Sequence, residues 1–193
     1  PVYLDSPLSL KATKIYTRHR ECYDEEASDI LRQGIDPMKF PGLHFVETPE
    51  QSMALNDKTG PMVIIAASGM CEGGRVVHHL RQVVGDPRNI ILIVGFQAEH
   101  TLGRRIVERK NPIKIFGEEY ELNARVHTIN ALSAHADRKA LMRWFDNVKS
   151  ERLQRVFAVH GEPEKVEAMQ ALARQHGVEN AAAPMPGQKF ENV

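Results

Sequence analysis

The sequence has no excess charge of either sign: 25 Lys and Arg stand against 25 Asp and Glu. That excludes a global basic field for nucleic acid, so any RNA contact must rest on a local patch and a metal. Cysteine is scarce. Cys22 and Cys71 lie far apart and form no CxxC pair. This argues against a disulfide framework and fits a reducing, cytoplasmic setting. No apolar run approaches the roughly 18 residues of a membrane-spanning helix, so no membrane partner is expected. The start, Pro1-Val2-Tyr3-Leu4-Asp5-Ser6-Pro7, shows neither a charged leader nor an initiator Met. It reads as the middle of a strand and turn, and the expectation is a fragment of a longer chain or a processed product. Internal repeats and low-complexity segments are absent, and 193 residues suffice for a sizeable core in one domain or two small ones.

What is present is an alternation of strands and helices. Val2-Tyr3-Leu4 reads as a short strand, with Ser6 as a helix cap and Pro7 at the first helical position. Residues 8–20 then read as helix, ending in Arg18-His19-Arg20, and residues 24–31 as a short acidic helix. Thr48-Pro49-Glu50 opens another, expected to carry Met53 and Leu55 inward. Met62 to Ala66 and Asn89 to Val94 are continuous apolar runs, as expected of strands covered on both faces. Each leads through a small-residue turn into a helix, residues 75–84 and 101–108. Residues 116–122 read as an acidic, hairpin-like piece. Val126 to Ile129 and Val156 to Val159 read as strands. The helices after them, residues 138–149 and 163–176, are expected to bury Leu141, Trp144, Phe145 and Val148, and Val166, Met169, Leu172 and Ala173. Such alternation predicts an α/β fold with a mostly parallel sheet. The acidic piece before Val126 marks the expected domain boundary.

Open α/β sheets build their sites at the carboxyl ends of their strands. Two histidines stand at such exits. In Ser133-Ala134-His135-Ala136-Asp137 the small residues allow close backbone approach, and the ordinary pKa of His135 suits proton exchange. Asp137 either caps the next helix or hydrogen-bonds a metal-bound water. His160, between an apolar strand and Gly161, is placed to ligate a metal through one ring nitrogen or to bond backbone as a half-buried histidine. The loop from Ser68 to Gly74 resembles a phosphate cradle. It is no P-loop, since no Lys-Ser/Thr follows the glycines, and it does not match GxGxxG. A tight packing turn is the alternative. Arg104 and Arg105, on the first turn of a helix, can fork onto phosphate or form a salt-bridged face with Glu99, Glu108 or Glu118. The adjacent His78 and His79 point apart on a helix and are poor joint ligands.

Taken in order, these stretches resemble the β-CASP branch of the metallo-β-lactamase superfamily, which includes ribonuclease J and the endonuclease subunit of the cleavage-and-polyadenylation machinery. The matching pieces are Pro1 through Leu8; Ala67-Ser68-Gly69-Met70 with Gly73-Gly74-Arg75; Gly95-Phe96-Gln97-Ala98-Glu99 with Thr101-Leu102-Gly103-Arg104; Ser133-Ala134-His135-Ala136-Asp137; and Val159-His160-Gly161-Glu162-Pro163. The resemblance implies a Rossmann-like, mostly parallel β-CASP part over residues 1–125. Residues 126–193 would be the C-terminal α/β portion of a metallo-β-lactamase fold. It implies a zinc-dependent ribonuclease acting on single-stranded RNA by two-metal phosphodiester hydrolysis. His135 would donate a proton to the leaving oxygen and His160 would ligate zinc. Asp137 and Glu162 would support them, and Ser68, Gly69, Arg104 and Ser133 would contact RNA.

The departure from the family is large. Its main zinc cluster, H-x-H-x-D-H, and the acidic motif near it have no counterpart in this sequence. One zinc-ligating His cannot hold a two-zinc centre. The expectation is a chain that is inactive alone and partners an upstream metallo-β-lactamase half of the same protein. Self-association through exposed apolar surface is a further expectation. His100 stands where many relatives have Gly. The competing readings are a non-catalytic RNA-binding or assembly module of the same superfamily, and a Rossmann-like nucleotide-binding protein using the Ser68 to Gly74 loop.

Overall fold

The computed structural model describes residues 1–131, 135–148 and 153–190. It divides into two units, Pro1–Ser133 and Ala134–Val193.

The first unit opens with strand β1 (Val2–Asp5) and helix α1 (Pro7–Arg18). Ser6 accepts the Ser9 N–H at 3.2 Å and Pro7 fills the first helical position, so the helix begins where its local chemistry dictates. Helix α2 (Glu25–Arg32) is capped by Asp24. Strand β2 (Leu43–Phe45) leads to α3 (Pro49–Leu55), where Thr48 and Gln51 satisfy each other's backbone in a capping box. The helix turns Leu55 into the core but leaves Met53 60% exposed, so the expectation that both point inward is corrected. Strand β3 (Val63–Ala66) completes a parallel sheet in the order β2-β1-β3.

Helix α4 (Arg75–Val83) follows the glycine-rich loop, and strand β4 (Ile90–Ile93) leads to α5 (Leu102–Val107), capped by Thr101. A tight antiparallel hairpin, β5 (Ile113–Ile115) and β6 (Glu118–Tyr120), precedes β7 (Arg125–Thr128). Strand β7 pairs in parallel with β4, Ile91 opposite Val126. The core of this unit joins α4 (Val77, Leu80), α5 (Leu102, Ile106), the hairpin (Ile113, Ile115) and the inward residues of β4 and β7 (Ile91, Ile93, Val126).

The apolar runs of β3 and β4 differ from expectation. Val63 and Ile65 on β3, and Ile90 and Leu92 on β4, are about half exposed. Each strand is covered on one face by this chain, while its alternate residues face outward.

In the second unit, α6 (Arg138–Val148), β8 (Val156–Phe157), α7 (Pro163–Gln175) and β9 (Ala181–Ala182) surround a small core. Phe145, Leu172, Ala173 and Val178 are buried there, and β8 pairs in parallel with β9. Trp144 is 50% exposed. It stacks edge-on against Phe145 rather than sharing the core, because adjacent helical positions diverge by about 100° and only one of the two can face inward. The sheets are small and mostly parallel, as the alternation of elements implied. No described helix is long and apolar enough to cross a membrane.

Candidate functional site

Two strand exits in the first unit lock together. Gln97, in the turn after β4, is buried, and its Nε2 donates to the carbonyls of Gly69 (2.9 Å), Phe96 (3.0 Å) and Gly95 (3.2 Å). From the other side, Glu72 accepts the Leu102 N–H and so helps cap α5. The Gly103 N–H donates to Met70 O at 3.1 Å. The loop that carries Ser68 and Gly69 is thereby fixed against the helix that carries Arg104. Within the loop, the Ser68 N–H is spent on Gly73 O and the Cys71 N–H on Ser68 O, so these two amides do not contribute to a phosphate cradle. Gly74 holds a φ of +77°, and a Cβ there would meet Ala67 O at 2.5 Å, so no side chain fits. Arg104 bonds Glu108 through Nε at 2.6 Å. Lys110 and then Arg104, by hydrogen bonds and charge, hold the Glu108 carboxyl down to about 2. Here the salt-bridged alternative for the arginine is realised.

Beneath this loop lies a buried polar knot at the carboxyl end of β1. Asp5 is fully buried and accepts from Ser52 Oγ (2.5 Å), Arg75 NH1 (2.6 Å) and His79 Nε2 (2.6 Å). Arg75 also reaches the carbonyls of Val46 and Glu47. Burial by itself pushes the Asp5 carboxyl up, but the hydrogen bonds from Ser52, His79 and Arg75 outweigh it and hold the group below its ordinary value. Sequence reasoning missed this knot, apart from the divergence of the two histidines. His79 turns in to Asp5, whereas His78 packs against Phe116.

In the second unit, His135 and His160 are both exposed. Asp137 accepts the Ala140 N–H at 2.7 Å and so acts as the cap of α6. His160 adopts a left-handed backbone, φ 64°, at the turn between β8 and α7. That is a costly conformation for a side chain with a Cβ, and such residues concentrate at functional turns. Glu162 caps α7 through its backbone, without a side-chain cap bond, and among the described residues its Oε1 is buried with no hydrogen-bond partner. Ser133 lies outside the described residues. The structure therefore joins Ser68, Gly69 and Arg104 in one unit, and carries His135, Asp137, His160 and Glu162 in the other.

Among the described residues no three His, Cys, Asp or Glu side chains converge into a metal site. His160 offers one nitrogen and Glu162 one unpartnered carboxylate oxygen. A zinc ion needs about four ligands, so these residues do not form a complete zinc site, although their donor chemistry suits one edge of it.

An α/β chain with its candidate side chains at strand exits and helix starts has the layout of a protein that works from the ends of its strands. It belongs to the β-CASP family of the metallo-β-lactamase superfamily: the Beta-Casp domain matches residues 1–106, and the Zn-dependent metallo-hydrolase RNA specificity domain matches residues 119–184. It is 40% identical over 183 residues to the protein named ribonuclease TTHA0252 of Thermus thermophilus, covering 95% of this chain and 41% of that protein. It is 36% identical over 189 residues to the transcription termination factor FttA of Pyrococcus abyssi, covering 94% and 29%. To an RNase J-like protein of Methanocaldococcus jannaschii it is 28% identical over 162 residues, covering 84% and 36%. The chain thus spans about two fifths or less of the length of these relatives.

Proposed function

We propose that this chain supplies the proton donor, one metal ligand and part of the RNA surface of a zinc-dependent ribonuclease. In this reading residues 1–125 are the later part of a β-CASP domain and residues 126–193 the returning part of the metallo-β-lactamase domain. The observation that carries it is the pair of histidine motifs, each ahead of a helix, in a chain whose second part matches an RNA specificity domain of Zn-dependent metallo-hydrolases. A relative named as a ribonuclease aligns along nearly the whole chain.

The chemistry assigned to these residues is limited and concrete. When an RNA phosphodiester is cleaved, the leaving oxygen gains negative charge and needs a proton. His135 in its protonated form delivers that proton from a ring nitrogen. General acid catalysis of this kind contributes about 10²- to 10⁴-fold. His160 would hold zinc through one imidazole nitrogen, and Glu162, whose Oε1 is buried without a partner among the described residues, would orient a neighbouring N–H. Zinc, when bound, supplies the hydroxide nucleophile. The absence of H-x-H-x-D-H from the sequence, and of a three-donor cluster among the described residues, supports the further claim that the chain alone does not cleave RNA. The same observation favours a second reading, in which the chain is a non-catalytic RNA-binding or assembly module.

The test is cleavage of a single-stranded oligoribonucleotide with zinc. The 193-residue chain is expected to be inactive alone and active when a segment bearing H-x-H-x-D-H is supplied in trans or as one polypeptide. In that restored enzyme His135→Ala should lose cleavage but keep its zinc, whereas His160→Ala should lose zinc. Full activity in both variants would overturn the assignment. Binding of RNA without cleavage in every combination would decide for the second reading.

A further inference from the structure

The hairpin β5–β6 turns through only two residues, Phe116 and Gly117, with Ile115 opposite Glu118. Both have positive φ, 52° and 83°. Such a type I′ turn favours Asn, Asp or Gly at its first position, because few residues with a Cβ tolerate a left-handed backbone there. A phenylalanine is a poor choice for the turn. Nor does the core gain from it, since the side chain is 55% exposed. An outlier that folding does not explain is where function is sought.

The surroundings indicate a ligand. His78 packs on the Phe116 ring with centroids 4.8 Å apart, and the Arg81 guanidinium sits 6.0 Å from the ring centre. Phe116 also borders a cavity of about 260 Å³ that Cys71, Glu72, His100, Arg105 and Lys114 help to line. Among the described residues five non-glycines have positive φ, and three of them, Cys71, His100 and Phe116, meet at this cavity. Its charge is mainly basic. Glu72 is engaged by the Leu102 N–H, and Lys114 faces Glu119 across an exposed 3.6 Å pair that solvent screens. The cavity is continuous with the loop that carries Ser68 and Gly69, since Cys71 and Glu72 belong to it.

We propose that Phe116, with His78 and Arg81 beside it and with His100, Arg105 and Lys114 along the cavity, forms a binding site for single-stranded RNA. An unpaired base stacks on the open side of the ring, and the adjoining phosphates lie along the cations. Sequence-tolerant recognition of single strands is built in this way, from an aromatic platform beside a positive groove. The inference rests on the proposed function in RNA cleavage and adds a binding surface to it.

The experiment is fluorescence anisotropy of the 193-residue chain with a labelled single-stranded oligoribonucleotide over a range of salt. Phe116→Asn suits the turn better than the native residue, so its thermal midpoint should match or exceed that of the wild type. Its RNA affinity should nonetheless fall about tenfold. Phe116→Trp should keep the affinity. Arg105→Gln with Lys114→Gln should lower the slope of log affinity against log salt by about 0.7 for each phosphate left without its cation. Wild-type RNA affinity in a folded Phe116→Asn chain would overturn this site and leave the ribonuclease reading standing. No measurable RNA binding by the wild type at low salt would overturn both. If Phe116→Asn instead abolished self-association and left RNA affinity unchanged, the surface would be a protein interface, and the proposal would fail.

Discussion

The Asp5 knot makes a sharp prediction about stability. Replacing Asp5 by Asn keeps the shape but removes the charge. It also puts an amide N–H₂ where Ser52, Arg75 and His79 now donate at 2.5–2.6 Å. The partners on the N–H₂ side must then switch to accepting or lose their bond. The Arg75 side chain, only 16% exposed, would keep its charge without its carboxylate. Breaking one side of a buried ion pair costs about 3–5 kcal/mol, because the remaining charge stays desolvated. For a chain of this size a kilocalorie moves the thermal midpoint by roughly 2–4 °C, so the expected fall is about 6–20 °C. Ser52→Ala is the control. It removes one neutral donor to the carboxylate and leaves the pair intact, for a cost of about 1.5–3 kcal/mol.

The same knot gives a pH signature with a definite sign. The Asp5 carboxyl is held below its ordinary value when folded, through Ser52, His79 and Arg75 acting against the upward push of burial. The unfolded chain therefore takes up a proton first as pH falls. The stabilisation is fully present above the ordinary carboxylate pKa of about 4, and it is lost as pH drops through the folded value. Urea unfolding followed by circular dichroism, at a series of pH values, reads both effects. The stability gap between wild type and Asp5→Asn should be widest near neutrality and shrink below about pH 4. A gap under about 1 kcal/mol at neutral pH, or one that stays constant through the acid range, would refute the argument that a buried charge pair organises this end of the sheet.

Two further predictions concern the loops beside the knot. Gly103→Ala would drive a methyl into the Gln97 carboxamide, 2.7 Å from its Cδ, and to 3.0 Å from Met70 O. It should destabilise the first unit by about 1–3 kcal/mol, read in the same urea titration. Cys71 is buried and its thiol is pushed up to about 11 by burial and by Glu72, whereas Cys22 is exposed. A thiol reagent at neutral pH should therefore modify one cysteine quickly in the folded chain and the second only on unfolding, and two fast thiols would contradict the packing described.

What the sequence revealed and what it hid divide along the range of the interactions. Ser6-Pro7, Thr48-Pro49-Glu50-Gln51 and Thr101 announce helix starts because a cap bonds only three residues ahead. The histidine motifs were legible in the same way, since each is a short stretch ahead of a helix. Interactions between distant residues left no local trace. His79 lies 74 positions from Asp5, and a helical histidine beside another reads the same whether or not a carboxylate waits in the core. Gln97 stood within a family motif, yet its buried clamp on Gly69 came only with the fold. The misplacement of Met53 and Trp144 has a different cause. Helical spacing defines a stripe, but the edges of that stripe are set by what packs opposite. The apolar runs of β3 and β4 misled for the same reason, since continuous hydrophobicity does not say whether one chain covers both faces.

These distinctions bear on how the candidate site is built. Apolar packing in the first unit locates α4, α5 and the hairpin on β4 and β7. The loop around Ser68 and Gly69 is held instead by directional bonds: Gln97 to three carbonyls, Glu72 to the start of α5, and Arg75 to Asp5 just past the loop. Each of these has an expensive alternative, because a buried polar group without its partner loses its hydration and gains nothing in return. Carbon packing tolerates small slides, whereas such bonds fail within a few tenths of an ångström. In the proposed reading, a loop that meets RNA at a fixed distance is better served by the second kind of restraint. Buried Asp5, His79 and Gln97 supply restraints of that kind beside this loop. If the proposed function holds, conservative changes at these residues should disturb RNA recognition more than larger changes on the open faces of β3 and β4.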